Sequence, residues 1–346
     1  MERTGYPSRI FSGYWGSCHC QGIAVDKARG EIYFSFTTKL VKTDLRGRLI
    51  GSVDGLTGHL GCIDFCEADG RVYGSLEYKN DAIGKGILSA LGKTGAHREA
   101  FYCAVFDGAA ITRPDMDAGA DGVMRAVYLP DVTEAYLGVS PEGRPHRWGC
   151  SGIDGTGWGK APGGEKDVLL IAAGIYGDVA RADNDYQVLF RYNDALSWWD
   201  TAAKPLLRPG DARDGARADE RLFLYTGNTR WGVQNLEYDE STGDWYLAVY
   251  PGEKKEFPNY GMFVLDGARA PLDGAHRATG EPIREVFLKP GGGSFFPYGS
   301  TGMCALGEGL WYFSQEGRDP VRGQYTNVCL YRAAADGDTP FLPVET

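Results

Sequence analysis

Histidine is scarce, with 5 in 346 residues, and none of them stands in an H-x-H or HExxH pattern. No short-range histidine spacing therefore supports a metal centre. Long hydrophobic runs are lacking as well: no stretch approaches the roughly eighteen consecutive apolar residues of a membrane-spanning helix. The first residues, MERTGYPSRIFSGYWG, contain no apolar core of a signal peptide. Basic charge is in deficit, with 36 Lys and Arg against 46 Asp and Glu, a formal net charge of -10. There is no basic stripe to displace phosphate counterions, so nucleic acid is not expected as a partner. The 8 cysteines (Cys18, Cys20, Cys62, Cys66, Cys103, Cys150, Cys304 and Cys329) show no framework spacing and read as free thiols of a reducing compartment. The expectation is a cytoplasmic protein with no membrane partner.

What the chain has in abundance is glycine and aromatic residues: 50 Gly, 20 Tyr, 15 Phe and 8 Trp. That is the composition of short strands joined by tight turns, and it predicts an all-β fold. One clause recurs: a small or polar pair, an apolar residue, a turn, then glycine and an aromatic-rich strand. Its copies are QGIAVDKARGEIYFSF (21–36), GCIDFCEADGRVYGSL (61–76), SGIDGTGWGKAPGGEKDVLLIAA (151–173), QNLEYDESTGDWYLAV (234–249) and TGMCALGEGLWYFSQ (301–315). Gly30, Gly70, Gly243 and Gly309 stand where a hairpin needs positive φ. Further strand candidates follow each hairpin: KLVKTDL and RLIGSV, FYCAVFD and VMRAVYL, YQVLFRYN and RLFLYTG, YGMFVLDG and REVFLK, then NVCLYRA and TPFLPVE.

Four antiparallel strands per unit, repeated radially, predict a β-propeller of five blades in a single domain over residues 1–346. At about 69 residues per blade the units exceed compact propeller repeats. The surplus falls in segments 79–98, 131–147, 203–220 and 267–282. SRIFSGYW (8–15) is placed to complete the last sheet and close the ring.

A propeller gathers the starts of its inner strands and the ends of its second strands at one mouth. That predicts convergence there of His19, Gln21, His59, Glu77, Tyr78, Arg147, Tyr176, Arg230, Trp231, Gln234, Tyr298 and Glu316, with His146 nearby. The histidines have an alternative use, bonding to neighbouring backbone. A second set, Asp64, Asp154 and Glu237, occupies one position in three units, about 10 Å along the strand. These carboxylates either face the channel, for acid-base work or a divalent cation, or cap turns and pair between blades. Asp115, Asp117 and Asp121 in PDMDAGADG do not match the calcium-loop register and read as a turn.

Aromatic planes interleaved with Arg, Asn, Gln, Glu and His suit a small carbohydrate substrate. Through the blade clause and this polar mouth, the sequence resembles the propeller carbohydrate-active enzymes: the five-bladed glycoside hydrolases and the propeller polysaccharide lyases. The resemblance implies a catalytic carboxylate at the start of an inner strand. Those positions here hold Gln21, Gly61, Ser151, Gln234 and Thr301, so the roles would pass to Asp64, Asp154 and Glu237, or to Glu77 and Glu316.

Hydrolysis would pair Asp64 with Asp154 or Glu237, or Glu77 with Glu316. β-Elimination beside a uronate would use His19 or His59 as base, Tyr78 or Tyr176 as acid, and Arg147 or Arg230 as carboxylate clamp. The alternatives are a metal-dependent sugar lactonase, with a divalent cation held by the carboxylates or by the three histidines, and a non-catalytic propeller that binds a glycan or a protein.

Overall fold

The structure, a computed structural model, describes residues 5–16, 18–205, 215–334 and 339–344. Five sheets succeed one another along the chain, each beginning with its innermost strand: Cys20–Asp26, His59–Cys66, Cys150–Lys160, Arg230–Asp239 and Met303–Gly307. We number the blades 1 to 5 in this order. The recurring glycines do the same job in each of three hairpins, with Gly30, Gly70 and Gly243 at φ of 65°, 71° and 75°. Their amides donate to Asp26, Cys66 and Asp239 at 2.9, 2.9 and 2.8 Å. The repeated clause is therefore a repeated turn geometry, and the fold is an all-β, five-bladed propeller.

A propeller blade is apolar on both faces, because each face meets a neighbouring blade. The buried residues accordingly form five apolar clusters, one at each of the five blade interfaces around the ring. Near the axis the inner strands close on each other, and Cys20–Asp26 is buried along its whole length. A Cβ on Gly22 would lie 2.8 Å from the Ile63 amide nitrogen of blade 2, so this approach requires glycine. Ring closure follows the expected device: Arg9–Phe11 pairs antiparallel with Gly323–Ala333, so the first strand completes the last blade. Phe341–Pro343 pairs with the same strand.

Two departures matter. REVFLK does not serve as one strand of blade 4. Its first part belongs to Pro282–Val286, which with Leu272–Ala275 forms a hairpin that adds to blade 3, running parallel to Glu220–Tyr225. Arg284 fixes it there by donating from Nε to Glu220 at 2.9 Å. The outer strand of blade 4 is Leu288–Ser294. The long segments also carry structure: helix α1 (Ala82–Ala90) lies in 79–98, and helix α2 (Pro130–Leu137) at 131–147. Within 203–220, residues 206–214 lie outside the described residues. In PDMDAGADG, Met116–Asp117 pairs parallel with the outer strand of blade 1. Among the described residues no helix is long and apolar enough to cross a membrane.

Ile10 sits at the ring closure, 1% exposed, among apolar residues of blades 5 and 1. Ile10→Ala should destabilise the chain by about 2–5 kcal/mol, read as a lower urea midpoint. Phe11→Ala, at the neighbouring position, where the ring is 38% exposed and packs against Tyr14 and Tyr325 at the surface, should change it less.

Candidate functional site

At the mouth where the inner strands begin, the axis opens into a cavity of about 460 Å³. Its floor is built from the hairpin of blade 2 and a bulge in blade 3. His59 opens the inner strand of blade 2, and its cross-strand partner is Glu77. His59 Nδ1 lies 3.4 Å from Glu77 Oε1 and 4.0 Å from Asp154 Oδ1. Two carboxylates thus stand within one imidazole of each other.

Asp154 reaches this cavity because the register of Cys150–Lys160 slips between Ile153 and Thr156. A bulge of this kind bends the strand and re-aims a side chain. Both neighbours that make room are glycines. A Cβ on Gly61 would meet Asp154 Oδ1 at 2.2 Å, and one on Gly152, at φ +128°, would meet Glu77 Oε2 at 2.1 Å. Asp154 Oδ2 accepts from Gln234 Nε2 at 3.3 Å. On the other wall His19 Nδ1 meets Glu316 Oε1 at 2.9 Å, and His19 Nε2 meets Gln21 Nε2 at 2.9 Å. Trp231 and Tyr250 add ring faces, and Ile83 and Ile87 of α1 add an apolar side.

Burial and local charge set the protonation states. Desolvation pushes Asp154 up to about 7, with the Glu77 charge adding to the rise while His59, Lys79 and Gln234 oppose it. Desolvation acts on Glu77 in the same sense, but Lys79 and His59 outweigh it and hold Glu77 below the usual carboxylate range. Lys79 Nζ lies 2.5 Å from Glu77 Oε1 and donates to the Ser151 carbonyl at 2.8 Å. Its own pKa is raised: burial lowers it, and Glu77 and Asp81 more than compensate. The hydrogen bond to Glu316 raises His19, against the cost of burial. Tyr250 is pushed up to about 12 by burial first, then by the charges of Glu316 and Asp154, so its phenol lies in the field of both walls.

The structure thus brings His19, Gln21, His59, Glu77, Asp154, Trp231, Gln234 and Glu316 to one mouth. It does not bring the others there. Tyr78 is 1% exposed in the core between blades 1 and 2, edge-on to Tyr102. Tyr298 packs against Phe296 and Tyr331. Tyr176 lines a neighbouring cleft beside Tyr136 and His146, and its ring meets the cavity edge-on to Trp231 at 5.8 Å. Arg147 pairs with Glu281 at 2.6 Å and covers the Trp148 ring in another cleft. Arg230 pairs with Glu253 at 2.6 Å and does not line the cavity.

Asp64 and Glu237 open on the opposite mouth. Asp64 stands five residues beyond His59 on the same strand, and no residue lines both cavities. The three carboxylates therefore do not act as one set. His146 Nδ1 meets the Tyr136 carbonyl at 2.7 Å, away from His19 and His59. Among the described residues, no group of three or more His, Cys, Asp or Glu side chains is arranged to hold a metal ion.

Sequence reasoning places Lys79 at the mouth, among the residues leaving the second strands, without giving it a role, and it misses α1 as part of the site. Opposite charges at Glu77 and Lys79, two apart at a strand end, share a face. Asp81 is a helix N-cap, accepting from the Gly84 amide at 2.9 Å, and it stands ahead of apolar residues at helical spacing.

No protein-family model matches the chain, and no curated protein matches it. Solved structures similar to it include an exo-1,5-alpha-L-arabinanase from a bovine ruminal metagenomic library, at 11% identity over 95% of this chain and 97% of that one, TM-score 0.39. Another is a Trichoderma reesei protein of carbohydrate-active enzymes family AA12, at 11% identity over 88% and 80%, TM-score 0.41. A third is a calcium-binding protein, regucalcin, from Agrobacterium tumefaciens, at 13% identity over 92% and 94%, TM-score 0.32. These likenesses concern the course of the chain and say nothing of its chemistry.

The raised carboxyls leave a signature in stability. From about pH 4 to about pH 7 the folded chain keeps protons on Asp154 and Asp64 that the unfolded chain has released, so stability falls as pH rises. Glu77, shifted the other way, loses its contribution only below the usual carboxylate range. Urea midpoints should therefore decline from about pH 5 to about pH 8, and the decline should be smaller in Asp154→Asn.

Proposed function

We propose that the chain is a carbohydrate-active enzyme that hydrolyses a glycosidic bond in a small oligosaccharide at the His59 mouth. Asp154 serves as general acid, and the His19–Glu316 pair as the base that activates water. The observation that carries this reading is Asp154: a carboxyl held at about 7 in a cavity of about 460 Å³, where an acid must be protonated at neutral pH to act.

A sugar ring would rest its apolar face on Ile83 and Ile87 or on the Trp231 ring, all of which line the cavity. Asp154 then gives its proton to the glycosidic oxygen as the bond to the anomeric carbon breaks. His19, held by Glu316 at Nδ1, would exchange the Gln21 amide at Nε2 for the water whose oxygen attacks that carbon, and take its proton there. Glu77 is not the partner acid or base, because Lys79 and the Ile153 amide engage it. Its charge instead keeps the Asp154 proton in place.

Elimination beside a uronate is the second reading, supported by two histidines in the cavity and weakened by Arg147 and Arg230 lying outside it. A reducing compartment such as the cytoplasm suits 8 cysteines that form no disulfide, and the reading includes no nucleic-acid or membrane partner.

Neutral and uronate-containing oligosaccharides should be screened for new reducing ends. Asp154→Asn should lower kcat by about 10²–10⁴ with substrate affinity little changed, and wild-type kcat should fall as pH rises through about 7. An unsaturated, ultraviolet-absorbing product would establish elimination instead. Undiminished turnover in Asp154→Asn would remove the mechanism.

A further inference from the structure

The opposite end of the channel opens into a second cavity, of about 290 Å³, whose lining includes Asp64, Phe65, Trp158, Glu237 and Tyr238. It does not belong to the site above: no residue lines both cavities. Its size is near the lower end for ligand pockets.

The charges at its rim are matched in pairs. Lys27 meets Glu67 at 3.1 Å and Lys160 meets Asp167 at 2.8 Å. Asp64, Glu237 and Glu240 are left in the lining without a cationic partner within ion-pair distance among the described residues. Asp64 has both oxygens occupied, Oδ1 by the Phe65 amide and Oδ2 by the Trp158 amide, each at 2.7 Å.

Glu237 differs. It is 7% exposed, its Oε1 accepts from the Ala305 amide at 2.8 Å, and its second oxygen has no hydrogen-bond donor among the described residues. That oxygen is open to the cavity and free to accept from a ligand. Here it stands in a cavity walled by the rings of Phe65, Trp158 and Tyr238, whose faces attract cations.

We propose that this cavity binds a small organic cation, a primary amine or a guanidine, against Glu237 and Asp64. The ammonium or guanidinium group would donate to the free Glu237 oxygen, and the aromatic walls would cover its carbon stem. Burial, then the neighbouring Asp64 charge, raise Glu237 well above its ordinary value, with Asp239 adding to the rise and the Ala305 amide and Lys27 opposing it; burial raises Asp64 to about 6, with Glu67 adding and the Trp158 and Phe65 amides and Lys27 opposing. Without a ligand the pair thus retains protons, and a bound cation would displace them. Affinity should rise with pH, because each proton lost leaves a charge for the ligand to meet.

The test is calorimetric titration of the full chain with propylamine and with guanidinium, using propanol and acetate as neutral and anionic controls. At least one cation should saturate and neither control should. Binding should weaken about tenfold or more between about pH 8 and about pH 5. Glu237→Gln keeps the acceptor for the Ala305 amide and should weaken binding about tenfold or more. Glu240→Gln, on the exposed rim, should weaken it a few-fold, and it decides the matter together with the pH dependence if the first variant does not fold. Asp154→Asn, at the other mouth, should leave cation binding unchanged whether or not turnover is lost. The proposal is overturned if neither cation saturates, if propanol or acetate binds equally well, if Glu237→Gln and Glu240→Gln both bind like the wild type, or if Asp154→Asn abolishes binding.

Discussion

The structure depends on one packing constraint: no blade can bury its own faces. Each sheet contributes half of two apolar interfaces, and the five clusters that result lie between blades rather than within them. An open ring would leave two such faces in water, so closure by Arg9–Phe11 is a condition for the other interfaces as well. The same convergence narrows the axis until glycine is needed at Gly22, Gly61 and Gly152. Polar side chains on the inner strands are consequently pressed into small, dry spaces. Desolvation is the largest influence on Asp64, Glu77, Asp154 and Glu237 alike.

Since burial is common to all four, the differences among them come from countercharge. Glu77 has Lys79 and His59 and stays ionised; Asp154 has them at one remove and also feels Glu77, so it keeps its proton to about 7. The general rule for acid-base pairs, that neighbouring environments push two carboxyls apart, is met at this mouth by one lysine placed beside one of them. At the other mouth Lys27 lies against Glu67 on the rim, and Asp64 and Glu237 are both raised. The two mouths thus differ in countercharge, and the proposed proton transfer at one and the proposed positive guest at the other both rest on that difference.

The repeat made the architecture readable from the sequence, since the glycine turns at Gly30, Gly70 and Gly243 recur with the strands they join. It also brought His19, His59, Gln21 and Gln234 to one mouth, because blade starts are equivalent by construction. Where the local chain departs from the repeat, the pattern misleads. Asp154 matches Asp64 and Glu237 by count, yet a bulge turns it to the near mouth while they open on the far one. Tyr78, next to Glu77, faces the blade interface because strand neighbours alternate. Arg147 is committed to Glu281, which precedes a hairpin strand that belongs to blade 3 through a crossover no local pattern announces.

The buried Glu77–Lys79 pair shows how site and fold are coupled. Such a pair is weak evidence for stability, because desolvating two charges costs about as much as their attraction returns. An apolar pair would fill the same space beneath the cavity. It would leave Asp154 raised by burial alone, and it would place no negative charge within 3.4 Å of His59. The effect of the pair falls on its neighbours: Glu77 adds to the rise that burial gives Asp154, Lys79 opposes it, and the two set an electric field across the floor of the cavity. Lys79 also ties Glu77 to the Ser151 carbonyl at the start of blade 3, so the field is held by the same blade contact that closes the core between blades 2 and 3. Loosening that interface would therefore be felt first as a change in the acidity of Asp154, before any strand was lost.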